Sequence, residues 1–80
     1  MIDAGTDKRL SVSNDGNAGP YIMVVVEQLD KVRLLLDENR ISYWVDREAI
    51  SLDGKPAVTV VNLGNDADPL EIQQLLDEAQ

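Results

Sequence analysis

Residues 20–26, Pro-Tyr-Ile-Met-Val-Val-Val, constrain this chain more than any other stretch. An extended strand turns successive side chains to opposite faces. Here Ile22, Val24 and Val26 are apolar on one side, and Tyr21, Met23 and Val25 are apolar on the other. A strand of that kind is covered on both faces or paired along both edges. It is a poor candidate for a bare margin, so the rest of the chain has to enclose it.

The residues that follow have the form to do so. Residues 27–39 set Leu29, Val32 and Leu36 on one helical stripe with Leu35 beside it, and Asp30, Lys31, Arg33, Asp37 and Glu38 fall mainly on the other side. Acids gathered at the start suit the helix dipole. Asn39 reads as the left-handed terminator, with Ile41 placed to fold back on the last turn. Residues 41–46 alternate, with Ile41, Tyr43 and Val45 on one face and Ser42, Trp44 and Asp46 on the other. A short strand at 49–52, the turn Asp53-Gly54-Lys55-Pro56 and a third main strand at 57–63 come next. Pro56 fits at a strand entry, where its missing N–H does no harm. Asp68 at the N-cap, Pro69 at N1 and Glu71 at N3 then open a helix whose stripe is Ile72, Leu75, Leu76 and Ala79.

The order β-α-β-β-α predicts an α+β fold, a two-layer split βαβ sandwich with a mostly antiparallel sheet and both helices on one face. Residues 20–80 form its single domain. Residues 1–19, rich in Asp, Asn, Gly and Ser, read as a flexible lead-in, with one alternation at 9–13 able to add an extra strand. In this topology the first and third main strands are neighbours, and an absent last strand would flank residues 20–26. Those residues would then be an exposed apolar edge, which proteins seldom leave unprotected. Either residues 9–13 fold back on it, or the same edge of a second molecule pairs with it. The homodimer is the preferred expectation, because a folded part of about sixty residues is marginally stable alone.

The facing pattern singles out one surface. If Ile22, Val24, Val26, Tyr43, Val45, Val58 and Val60 meet the helices, then Tyr21, Met23, Val25, Trp44, Thr59 and Val61 share an open sheet face. Aromatics on such a face stack bases in RNA-recognition domains, but basic partners are missing here. An apolar open face points instead to protein contact or dimerisation, or to a face covered by residues 1–19.

Charge and residue types exclude much else. The chain has 80 residues, with 15 acids against 7 bases and a net charge of −8. Residues 51–80 hold Lys55 alone against six acids. Such a field disfavours nucleic acid and anionic lipid, so the expected partners are a second copy or another protein, with no nucleic acid and no membrane. Without Cys there is no thiolate chemistry, and without His the commonest general base and metal ligand is missing. No apolar run reaches the roughly 20 residues that span a bilayer, and the polar, acidic start is unlike a signal peptide. A soluble cytoplasmic protein is expected.

Three polar clusters have ordinary explanations. The loop Asn62-Leu63-Gly64-Asn65-Asp66-Ala67-Asp68 runs from a strand into a helix, but Asp66 and Asp68 would repel an anion. Helix capping accounts for them better than a cation does. Asn14-Asp15-Gly16-Asn17 lacks the full calcium-loop pattern. Asp46-Arg47-Glu48 at a strand end reads as a solvated cluster, and the serines Ser11, Ser13, Ser42 and Ser51 have no His to activate them. No catalytic, cofactor-binding or metal residue is therefore assigned. The expected function is a non-catalytic regulatory or protein-interaction domain that self-associates through residues 20–26 and the open face. The alternative is a small-ligand or metabolite sensor. A small enzyme using a buried carboxylate in a cleft at Asp46 or Asp66 comes third.

Residues 22–46, read as strand, helix with Leu35-Leu36-Asp37-Glu38-Asn39, then Ile41-Ser42-Tyr43-Trp44-Val45, resemble the β-α-β opening of small bacterial ferredoxin-like regulatory domains. The style is similar to ACT-type domains and to small domains described as signal-transducing. Those families place Gly before the Ile of the second strand, where this chain has Asn39-Arg40. The resemblance implies a ferredoxin-like fold and a non-catalytic regulatory or binding module. It carries over no functional residue.

Overall fold

In a computed structural model, the structure describes residues 1–14, 19–46 and 57–79. Strand β1 (Val12–Ser13) leads to β2 (Tyr21–Val25), a 3-10 turn (Val26–Gln28), helix α1 (Leu29–Glu38), β3 (Trp44–Val45), β4 (Val58–Asn62) and helix α2 (Pro69–Glu78). The strands form one antiparallel sheet in the order β1-β2-β4-β3, which with the two helices makes a small α+β fold. The expected strand at 49–52, the turn at 53–56, Arg47, Glu48 and most of the 14–17 loop lie outside the described residues.

The central strand is paired along the whole of one edge and at one end of the other. On one side β2 pairs with β4 over its whole length, from Tyr21 opposite Asn62 to Val25 opposite Val58. On the other, Val12 lies opposite Ile22 and Ser13 opposite Tyr21. Of the two closures expected for this edge, the segment 9–13 thus supplies one at its Tyr21–Ile22 end, through Val12 and Ser13. A strand tethered a few residues away closes a short loop at little entropic cost, which a separate molecule cannot match.

Residues 1–14, expected to be mostly flexible, are anchored in the same core at Met1 and Leu10. Ile2 and Arg9 form an antiparallel bridge, closed by bonds from Asp3 N–H to Lys8 C=O and from Leu10 N–H to Met1 C=O. Met1 and Leu10 join Ile22, Val24, Val32, Leu36, Val61, Leu63, Ile72 and Leu76 in one buried cluster. Apolar side chains at the ends of a polar segment supply the driving force that its composition hides.

Two glutamines hold this segment down. Buried Gln28 accepts a hydrogen bond from Ala4 N–H at 3.0 Å and donates to Ile2 C=O. Gln73 of α2 accepts from Val12 N–H at 2.7 Å and donates to Leu10 C=O at 3.1 Å. Each amide satisfies both a donor and an acceptor of the main chain, which secondary structure would otherwise have to pair.

The helix ends follow local rules, with one difference. Asp68 Oδ1 accepts from the N–H groups of Leu70 and Glu71, and Pro69 stands first in α2, as the sequence predicts. At the end of α1, the left-handed residue is Arg40, with φ 58°, rather than Asn39. Ile41 N–H donates to Leu36 C=O and Arg40 N–H to Asp37 C=O, the paired bonds of a Schellman motif. That motif needs positive φ one residue past the cap. Arg40 stands where Gly would avoid steric cost.

Candidate interaction face

The sheet face is built from the strand register. Ile22 and Val24 belong to the core with Val32 and Leu36 of α1 and Ile72 and Leu76 of α2. Because Ile22 lies opposite Val61 and Val24 opposite Thr59, those two residues point the same way. Thr59 and Val61 are buried, so they do not share the open face expected of them. Val58 and Val60, expected to meet the helices, take their places. A shift of one residue in phase exchanges every side chain of a strand between faces. Val26, also expected inside, sits in the 3-10 turn and is 42% exposed.

The open face therefore reads in rows across the strands. Ser13, Tyr21, Asn62 and Trp44 form the first, through successive pairings. Met23 and Val60 form the second, where Asp46 joins through a bond from its N–H to Val60 C=O. Val25 and Val58 form the third. Met23 is 52% and Trp44 54% exposed, whereas Val25 is buried. The turn of the N-terminal bridge covers that end, since a methyl group built on Gly5 would lie 3.0 Å from Val25 Cγ1.

Trp44 rests on a prepared support. A methyl group on Gly64 would lie 3.5 Å from the indole, and Gly64 itself adopts φ 82°. Gly19, φ 89°, backs onto the same point, where a Cβ would sit 2.8 Å from Asn65 Oδ1. Two loops thus cross without side chains beside the ring. Asp46, the acid on this face among the described residues, accepts from Asn62 Nδ2 at 2.8 Å. Of the six residues expected on the open face, the structure brings Tyr21, Met23 and Trp44 together there, buries Val25 beneath the N-terminal turn, and turns Thr59 and Val61 inward.

Surface clefts lie elsewhere among the described residues. One, of about 570 Å³, runs beside β3 and is lined by Arg33, Asp37, Ile41, Ser42, Tyr43 and Val45. Arg33 Nε donates to the Tyr43 hydroxyl at 3.4 Å. That bond, ahead of the other charges nearby, raises the pKa of a guanidinium already charged at any ordinary pH. Another cleft, of about 290 Å³, has Ile41, Leu63 and Ile72 beneath Asp66, Asp68 and Glu71.

Asp46 and Asp66 are both exposed, and Asp68 is engaged as the helix cap. Among the described residues, no group of three acidic, His or Cys side chains is arranged to hold a metal. No helix of theirs is long and apolar enough to cross a membrane. Comparison of the chain with family models, curated proteins and solved structures gives no match.

Proposed function

We propose that this chain is a non-catalytic regulatory or protein-interaction domain that associates with itself through the bare side of its sheet around Trp44. One observation carries the reading: Met23 and Trp44 stand half exposed on a sheet face where the described residues place Asp46 as the one charged group. Contact surfaces gather Trp, Tyr and Met at their centres and shed charge there. A net charge of −8 distributed elsewhere limits indiscriminate aggregation and leaves this patch as the surface where copies can meet.

The strand order supports a split βαβ, ferredoxin-like interpretation. Strands β2 and β3 are each antiparallel to β4 between them, and β1 takes the place of the absent last strand. With the buried stripes of both helices in the cluster that holds Ile22, Val24 and Val61, the opposite face is left for partners.

The single tryptophan makes the reading testable. Light scattering over a concentration series should show the mass doubling from 8.8 kDa as Trp44 emission moves to the blue, and Trp44→Ala should weaken the association. A mass that stays at the monomer value at high concentration, with unshifted emission, removes it. The acid-rimmed cleft over Ile41, Leu63 and Ile72 favours a second reading, a sensor of small amphipathic amines. A rise in melting temperature with such an amine, absent in Glu71→Gln, would support that one.

A further inference from the structure

The ladder between β3 and β4 fixes which backbone groups face outward. Asp46 N–H donates to Val60 C=O at 3.0 Å, so 46/60 and, two residues back, 44/62 are the hydrogen-bonded pairs. The N–H and C=O of Val45 therefore point off the end of the sheet, and those of Tyr43 follow by the same alternation. Among the described residues nothing bonds to them. The usual guards of a free edge are missing as well, since residues 41–45, Ile-Ser-Tyr-Trp-Val, include no charge and no proline.

We infer that a second copy of this chain adds at this edge, the two β3 strands pairing antiparallel about a two-fold axis at Trp44, so that two four-stranded sheets become one of eight. The inference rests on the self-association proposed above and moves its seam to the β3 border of the bare face, at Trp44, with Met23 outside it. Only Tyr43 and Val45 face outward on the described part of this edge. The register that opposes Tyr43 of one copy to Val45 of the other uses both on each side. Such an interface is self-complementary, as a two-fold dimer requires.

Charge agrees with this choice of occupant. The groove beside the edge carries one base and one acid, Arg33 and Asp37, four residues apart on α1. A two-fold axis reverses their order in the facing copy, so each guanidinium is offered a carboxylate. The local balance keeps the excess of acids out of the groove itself, so the net charge of −8 on each copy is carried away from the contact. In this register Trp44 opposes its own copy as a pair without hydrogen bonds between them, the arrangement that brings cross-strand side chains closest.

That pairing has a direct chemical test. A pair of this type has Cα atoms about 4.5 Å apart, within reach of a disulfide, and the chain has no other cysteine. Under mild oxidation Trp44→Cys should link into dimers, while Met23→Cys, about as exposed but away from the edge, should stay largely unlinked. Val45→Pro removes an outward N–H without touching the β4 ladder, and should weaken the dimer about tenfold or more in sedimentation equilibrium. If Met23→Cys links as readily and Val45→Pro stays dimeric, the copies meet face to face. Edge pairing is then overturned, although self-association survives. If the unmodified chain remains monomeric, both fall together.

Discussion

At one margin of the sheet, Gln73 reaches from α2 to bond Val12 N–H and Leu10 C=O, and the N-terminal bridge packs Met1 and Leu10 into the core beside it. At the other, the outward groups of Val45 and Tyr43 meet nothing among the described residues. The two margins pose one problem, a row of unpaired backbone groups. The difference is that, among the described residues, a side-chain amide caps one edge and nothing caps the other. Covering is thus specific to the edge, and the central strand β2 gains a partner on each side because of it.

The largest test of the covered margin is its removal. Deleting residues 1–14 takes out β1, Met1 and Leu10 and bares the outer edge of β2. We expect the loss of a cooperative thermal transition by circular dichroism and the onset of aggregation. A retained sharp transition would show that the N-terminal segment is an accessory. Leu10→Ala, at a site 1% exposed, should cost about 2–5 kcal/mol in urea unfolding.

A contrast between the margins should be smaller but sharper. Gln73→Leu leaves Val12 N–H and Leu10 C=O without their partner and should cost about 1–3 kcal/mol. Val45→Pro, which breaks no bond among the described residues, should cost less than that as a monomer. Equal losses would mean that the two edges are less different than they look. The smallest effect is expected at the turn into β3. Arg40→Gly relieves a side chain held at positive φ and should raise stability by about 0.5–1 kcal/mol.

How much of this was legible in the sequence depends on how strongly each residue votes. Residues 20–26 announce a central strand because apolar side chains occupy both faces, and Asp68-Pro69 announces a helix start through capping chemistry. The third main strand votes ambiguously. Residues 57–63 are apolar at 57, 58, 60, 61 and 63, which fits either phase. Leu63, the largest, and Asn62, the polar one, decide it by turning inward and outward, and Thr59 is carried inside with its hydroxyl bonded to Asp46 C=O. Weighing Leu63 and Asn62 above the two valines would have placed Val58 and Val60 on the open face.

In the N-terminal segment the alternation at 9–13 offered the extra strand, while residues 1–8 were illegible for another reason. Its Asp, Gly and Ser content is that of a loop, and the contacts that fix it come from distant glutamines rather than from its own pattern. Gln28 and Gln73 carry no periodic signal that would mark them as clamps. Trp44 and Met23 were legible as open-face residues because each alternates against neighbours whose apolar side chains had to face the helices.

The clamp at Gln73 has a consequence for the chain as it is made. Sixty-one residues separate Val12 from the side chain that fixes it. At about 5–20 residues per second of translation, that is an interval of roughly 3–12 s. Through that interval the emerging β2 lies within reach of β1, but β1 has nothing to fasten its far side. The nascent polypeptide thus carries a strand pair whose closure waits on the emergence of α2 from the ribosome. Its exposure to chaperones and to neighbouring chains is set by translation speed rather than by the stability of the finished fold.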